Sequence, residues 1–225
     1  MLPHEFWQEL HAPGSFDRSG PFSGFYPAEL DDRRQLRLPI RPLSDGQHAL
    51  ASLIINQASF AVLDALAERL AAKLERLGAD VIVGLPTLGL TLAAAVAQKL
   101  GHARYVPLGT SRKFWYEDAL SVPLSSITTP EQAKRLYIDP RMLPLIQGKR
   151  VLLIDDVISS GTSILSGLAL LKAVDVQPVG IGAAMLQSNR WQAGFEAAGI
   201  DWQTLVHGVF HTPMLEKSGD GQWQA

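Results

Sequence analysis

The sequence predicts an α/β protein: a doubly wound, mostly parallel sheet with helices on both faces, plus a small hood. One observation is the apolar run Val151–Ile154, which is typical of a strand buried on both faces and is followed by helical spacing of apolar residues from Ile164. The other is the order helix, strand, turn, helix between residues 57 and 100. Elements that alternate in this way build a parallel sheet.

The hood is predicted from residues 1–48, with C-terminal residues as candidates to complete it. This segment is rich in proline and glycine but also carries many aromatic side chains, among them Phe6, Trp7 and Tyr26. A disordered tail has few such side chains to bury, so we expect a packed segment. The core domain is then expected at 49–225.

The first helix of the core is predicted at about residues 57–77, before a stop at Gly78. Its apolar positions recur at intervals of three and four, with charged residues between them. These positions are Phe60, Leu63, Leu66, Leu70, Leu74 and Leu77. A short buried strand at 79–85, a turn at Pro86–Gly89 and a second helix to about residue 100 are expected next.

The remaining elements follow the same logic. We expect strands at 104–107, 135–139, 176–186 and 200–210, a helical turn at 142–146, a helix that follows residues 187–191 and ends at 198, and a polar end. The segment from 108 to about 130 has little regular pattern. Such a long irregular stretch inside a compact domain is typically disordered or functional, so we predict a flexible flap at about 109–135.

Composition narrows the class of protein. The chain has 225 residues, 47% of them hydrophobic and 19% charged, as in ordinary globular proteins. A formal net charge of -2 gives no reason to expect nucleic acid or an anionic membrane as a partner. Without cysteine there is no thiolate nucleophile or disulfide. No apolar run approaches the ~20 residues that span a bilayer, so a cytoplasmic location is expected.

The central strand ends in a group of polar residues that suits a sugar phosphate. Asp155 and Asp156 come directly after the apolar run, and the turn Ser159–Ser163 leads into a helix. Hydroxyl groups, a glycine and the free N–H groups of a helix start favour a phosphate monoester. Two ionised carboxylates accept hydrogen bonds from a vicinal diol. Together they indicate a ribose 5-phosphate.

This order of residues is also a long motif. Four apolar residues, two acids, two apolar residues and Ser-Ser-Gly-Thr-Ser resemble the 5-phosphoribosyl-1-diphosphate (PRPP) signature of the type I phosphoribosyltransferases. The block from Phe60 to Leu100 is similar in layout to adenine phosphoribosyltransferase, and the resemblance covers about residues 57–175. The alternative is a generic strand-loop-helix joint whose aspartates cap the helix, which two adjacent acids on a buried strand fit poorly.

The resemblance implies transfer of the 5-phosphoribosyl group of PRPP to a nitrogenous base, with a purine-like base favoured and pyrophosphate released. Asp155 and Asp156 would hold the ribose diol, directly or through Mg²⁺ bound mainly by substrate and water. The implied 5-phosphate contacts are Ser159, Ser160, Gly161, Thr162 and Ser163. The implied diphosphate contacts are the backbone of Thr87, Leu88 and Gly89, whose alternative is an ordinary turn. The side chains of Arg112 and Lys113 are also implied, and their alternative is a solvated pair.

The ends of the resemblance leave the acceptor open. The family usually has an acid and an arginine before the glycine of the pyrophosphate loop, where this chain has Pro86 and Leu88. This departure weakens the case for adenine. Trp191 is a candidate to stack on the base, its alternative being a core or interface residue. A homodimer is expected, and the rival functions are a non-enzymatic PRPP-sensing regulator and a same-fold enzyme with an unusual acceptor.

Overall fold

The structure is a computed structural model that describes residues 2–124 and 134–225. Its strands are β1 (Phe25–Glu29), β2 (Gln35–Pro42), β3 (His48–Ala51), β4 (Val81–Gly84), β5 (Val106–Pro107), β6 (Ser121–Pro123), β7 (Arg135–Tyr137), β8 (Val151–Ile158), β9 (Pro178–Gln187), β10 (Val206–Thr212), β11 (Met214–Lys217) and β12 (Trp223–Gln224). Its α-helices are α1 (Phe60–Leu74), α2 (Gly89–Lys99), α3 (Thr162–Lys172), α4 (Arg190–Ala197) and α5 (Trp202–Leu205). Within these described ranges, no helix is both long enough and apolar enough to cross a bilayer.

The central sheet is parallel and has the order β10-β9-β8-β4-β5, with β8 in the middle. Successive residues of β8 point into different layers, as the geometry of a strand requires. Leu152 and Ile154 join the core that contains α1 and α2, whereas Val151 and Leu153 join the core that contains α3 and α4. The predicted doubly wound sheet with helices on both faces is therefore confirmed.

Helix α1 begins and ends where its sequence indicates. The Ser59 hydroxyl caps it by accepting the Val62 N–H at 3.2 Å, and a 3-10 turn carries the chain to Gly78, whose φ of 55° ends the helix. For one residue of the predicted apolar face, Phe60, the prediction is wrong. Phe60 is 89% exposed, because it lies in the first turn, where Val62 instead begins the buried face.

The hood is an antiparallel sheet of order β1-β2-β3-β11-β12. Strand β3 crosses the boundary expected at residue 48, and it pairs with β11 near the C-terminus. The C-terminal residues therefore take part in the hood, which the sequence predicts as one possibility, although it does not predict their two strands. Leu36, Leu38 and Leu215 are fully buried in the same core as α1, so the hood packs continuously on the central sheet.

The last predicted strand was too long. Residues up to Leu205 form the short helix α5, and β10 begins only at Val206. The physical reason is local, because the Thr204 hydroxyl donates to the Asp201 carboxylate at 2.9 Å and closes a turn that competes with extended backbone. β10 then pairs in parallel with β9 along the edge of the sheet.

Candidate active site

Asp155 and Asp156 form an acid pair on the middle strand of the parallel sheet. Both lie within β8 near its carboxyl end, and they are 7% and 8% exposed. Strand β9 pairs with β8 on both sides of Asp156, whereas the pairing of β4 with β8 ends at Ile154, just before the acid pair. Oδ1 of Asp155 accepts the backbone N–H of Asp156 at 2.9 Å, which fixes the orientation of the Asp155 carboxylate.

Burial controls the protonation of the acid pair. It raises the pKa of Asp155 well above the ordinary value of an aspartate, and the adjacent Asp156 carboxylate raises that pKa further. Burial also raises the pKa of Asp156. The acid pair consequently retains a proton at pH values where exposed carboxylates have lost theirs. A cation or a set of hydroxyl donors next to the pair would favour the ionised form and release that proton.

The segment Thr87–Gly89, here the Gly89 loop, lies against the acid pair. A Cβ atom built on Gly89 would lie 2.5 Å from Oδ1 of Asp155 and 2.8 Å from its Cα. Only glycine fits this approach. Thr87 is exposed, whereas the half-buried Leu88 packs on the core that contains α1 and α2. The first turn of α2 and the acid pair are thus in direct contact.

Residues Ser159–Ser163, here the phosphate loop, connect the end of β8 to α3. Gly161 adopts a φ of +79°, which a residue with a side chain rarely tolerates. The hydroxyl oxygens of Ser160 and Thr162 are 3.0 Å apart. The loop and Asp155 line a cavity of about 80 Å³. An anion in this cavity would meet hydroxyl groups and the free N–H groups of the first turn of α3.

Trp191 does not face the site, and its predicted role as a base-stacking residue is corrected. It is 1% exposed, its indole N–H donates to the Ser188 carbonyl at 2.9 Å, and its ring packs edge-on with Phe195 and Trp202. The core alternative is therefore the right one. A Cβ atom on Gly161 would lie 3.1 Å from Cβ of Trp191 and 2.9 Å from the Phe195 ring, so these aromatics support the phosphate loop from behind.

Arg112 and Lys113 lie on the exposed segment between β5 and β6. Arg112 forms an ion pair with Asp118 at 3.3 Å. In the described ranges, no hydrogen bond or ion pair joins either residue to the acid pair, so their contact with a diphosphate stays a prediction. The predicted flap includes residues 125–133, which lie outside the described residues.

The start of the flap is anchored by an aromatic cluster. The Trp115 indole N–H donates to the Asp139 carboxylate at 3.2 Å, and the Arg141 guanidinium lies 4.4 Å from the centre of the indole ring. Arg141 also binds the Asp139 carboxylate, and these hydrogen bonds lower the pKa of Asp139 to about 2. Beside this cluster, Phe114 is 96% exposed.

One residue near the phosphate loop was missed in the sequence. Nη2 of Arg190 donates to the Ser159 hydroxyl at 3.1 Å, and its Nε donates to the Ser188 hydroxyl at 3.3 Å. Arg190 follows the carboxyl end of β9, which is the neighbour of β8. The signal available in the sequence was its position after a buried strand, since the carboxyl ends of adjacent parallel strands meet at one edge of the sheet.

Comparisons with known proteins identify the family of this chain. The family model described as a phosphoribosyl transferase domain matches residues 51–200. A hypoxanthine/guanine phosphoribosyltransferase from Methanosalsum zhilinae is 30% identical over 169 residues, covering 74% of this chain and 78% of that protein. An orotate phosphoribosyltransferase from Methylibium petroleiphilum is 33% identical over 133 residues, covering 58% of this chain and 49% of that protein.

A solved structure shares the fold of this chain. A solved adenine phosphoribosyltransferase from Rhodothermus marinus superposes with a TM-score of 0.56 at 18% identity, covering 78% of this chain and 94% of that one. The resemblance to the type I phosphoribosyltransferases is thereby confirmed, and it supports a phosphoribosyltransferase activity. The family match spans the acid pair, the Gly89 loop and the phosphate loop, and the chain belongs to the phosphoribosyl transferase domain family.

Proposed function

We propose that this protein transfers the 5-phosphoribosyl group of PRPP to a purine-like base and releases pyrophosphate. The observation that carries the proposal is the meeting of three elements at one edge of the sheet. The buried acid pair touches Gly89 on one side, and Asp155 lines the cavity of the phosphate loop on the other. A ligand that carries a diol between a phosphate and a diphosphate matches this arrangement.

The proposed chemistry follows from the leaving group. Departure of pyrophosphate builds positive charge on the ribose ring and negative charge on the diphosphate. In the proposal, Asp155 and Asp156 accept hydrogen bonds from the ribose hydroxyls and hold the ring in place. The phosphate loop fixes the other end of the sugar, so that the base attacks a substrate of restricted orientation. Backbone N–H groups of the Gly89 loop, with Lys113 and Arg112, stabilise the diphosphate as its charge develops.

The residues fit a Mg²⁺ ion that arrives with its substrate. Outside residues 1 and 125–133, no group of three or more side chains could hold a metal ion by itself. Two carboxylates are present, and Mg²⁺ usually takes one or two carboxylates while phosphate oxygens and water complete its octahedron. When bound, Mg²⁺ would neutralise charge on the diphosphate. Because the pKa values of the acid pair are raised, we predict that binding of Mg²⁺ releases a proton from the pair.

The purine-like acceptor is favoured by the relative from Methanosalsum zhilinae and by the layout shared with the adenine enzyme from Rhodothermus marinus. Because another relative is an orotate phosphoribosyltransferase, the test also includes a pyrimidine acceptor. A panel of adenine, hypoxanthine, guanine and orotate with PRPP and Mg²⁺ would be scored by pyrophosphate release. Release with one or more purines supports the proposal, and release with orotate alone contradicts the acceptor.

A regulator that binds PRPP without turning it over is the second candidate. Leu88 favours it, because an apolar side chain packed on the core supplies no charge to a leaving diphosphate. The same panel decides between the two functions. If PRPP binds but no base in the panel releases pyrophosphate, the regulator replaces the enzyme.

A further inference from the structure

The phosphate loop has no positively charged side chain of its own. Its residues are serine, threonine and glycine, which offer neutral donors only. A phosphate monoester carries about -1.5 to -2 charges at pH 7. The guanidinium of Arg190, the first residue of α4, reaches this loop from beyond the carboxyl end of β9, with Nη2 3.1 Å from the Ser159 hydroxyl oxygen.

Arg190 is available to a ligand. Its side chain is exposed, and its hydrogen bonds in residues 2–124 and 134–225 go to the hydroxyls of Ser159 and Ser188 rather than to a carboxylate. No ion pair of Arg190 occurs in this part of the chain. An arginine in this state keeps its full charge and its planar set of donors for an anion.

The backbone on both sides of Arg190 is fixed. Ser188 is 3% exposed and adopts a φ of 56°, and its N–H donates to the Thr212 carbonyl at 2.7 Å. Trp191 is buried and donates to the Ser188 carbonyl, as described above. Since Ser188 and Trp191 are both buried, the Arg190 side chain starts from a backbone position that is held next to the phosphate loop.

We propose that Arg190 is a binding residue for the 5-phosphate of the ribosyl donor and selects phosphorylated over unphosphorylated ribose. This inference rests on the proposed function, which places the 5-phosphate in the phosphate loop. The Ser159 oxygen accepts from Arg190, so its own O–H is left to donate to the phosphate. The guanidinium adds a charge-assisted contact to a loop that otherwise supplies neutral donors and a helix start.

The test compares Arg190→Gln and Arg190→Lys with Arg104→Gln. Arg104 is a matched control, because it is also exposed but precedes the amino end of β5, at the opposite end of the sheet. Calorimetric titration with ribose 5-phosphate and with PRPP measures binding, and thermal unfolding checks the fold. Arg190→Gln should lower the affinity for both ligands by about tenfold or more, and Arg190→Lys should lower it by less. Arg104→Gln should bind both ligands as tightly as the wild type does.

Each outcome decides the inference. Unchanged binding by Arg190→Gln would overturn the role of Arg190 and leave the proposed function standing. Equal weakening in both Arg190 variants together with equally lowered melting temperatures would make Arg190 a brace for α4 and also overturn it. A wild type that binds neither ligand would remove the proposed function, and the inference with it.

Discussion

The phosphate loop and the Gly89 loop both approach Asp155, but different contacts hold them. Behind the phosphate loop lie Trp191 and Phe195, and in front of it lies Arg190. The backbone of the Gly89 loop contacts the acid pair, and the loop has no charged side chain. In the proposed function, the phosphate loop and Arg190 together hold the 5-phosphate, whereas the diphosphate end needs a positive charge from outside the Gly89 loop. Binding and chemistry should consequently respond to different substitutions.

The largest effect is expected where the two loops meet. In the proposed function the acid pair holds the ribose diol or its Mg²⁺, so replacing both Asp155 and Asp156 by asparagine should slow turnover on the order of a thousandfold or more. PRPP binding and pyrophosphate release would be measured. Asp175→Asn, at an exposed position where φ is 59°, is the matched control. Normal PRPP affinity in a folded double variant would contradict the assignment of the acid pair to the PRPP site.

Lys113→Ala probes the diphosphate end alone. If Lys113 stabilises the leaving group, turnover should fall on the order of a hundredfold while PRPP affinity changes little, because a contact that strengthens in the transition state acts on the chemical step. Single-turnover kinetics and PRPP titration separate these effects. Lys172→Ala, exposed at the end of α3, is the control. Unchanged turnover would contradict this role of Lys113 and would indicate that Arg112, or a basic residue of a partner subunit, stabilises the leaving diphosphate.

Gly89→Ala disturbs the contact between the Gly89 loop and the acid pair. The new methyl group would overlap Asp155 and should cost about 1–3 kcal/mol of stability, with PRPP affinity reduced about tenfold. Denaturant unfolding and titration measure the two effects. Gly219→Ala is a suitable control, since nothing lies within 4 Å of a Cβ atom there. Equal stability of Gly89→Ala and the wild type would show that α2 can move away from β8.

The smallest effect concerns stability and pH. Since burial raises the pKa of Asp155 in the folded state, its contribution to stability is present at low pH and is lost as pH rises through that raised pKa. Asp155→Asn should therefore melt a few degrees above the wild type at neutral pH, and the difference should vanish in acid. Thermal scans across pH test this. A lower melting temperature of the variant at neutral pH would contradict it.

Local signals in the sequence determined much of the fold and part of the site. The spacing of Leu66, Leu70 and Leu74 fixed the buried face of α1, and an unbroken apolar run identified β8. The acids and hydroxyls that follow that run identified the family, and they predict a ligand site at the carboxyl end of β8. These features depend on neighbours along the chain, because helix periodicity, caps and phosphate loops act over a few residues.

The tertiary structure alone decided which distant residues touch. The contact of Gly89 with Asp155 and that of Arg190 with Ser159 depend on the order of strands in the sheet, which no single stretch of sequence encodes. The local sequence around Trp191 would be the same whether its side chain faced a base or the core. The packing of α4 on α3 buries it. The pairing of β3 with β11 likewise joins the two ends of the chain. Burial and long-range pairing are properties of the assembled layers, so they become readable only when the layers are in place.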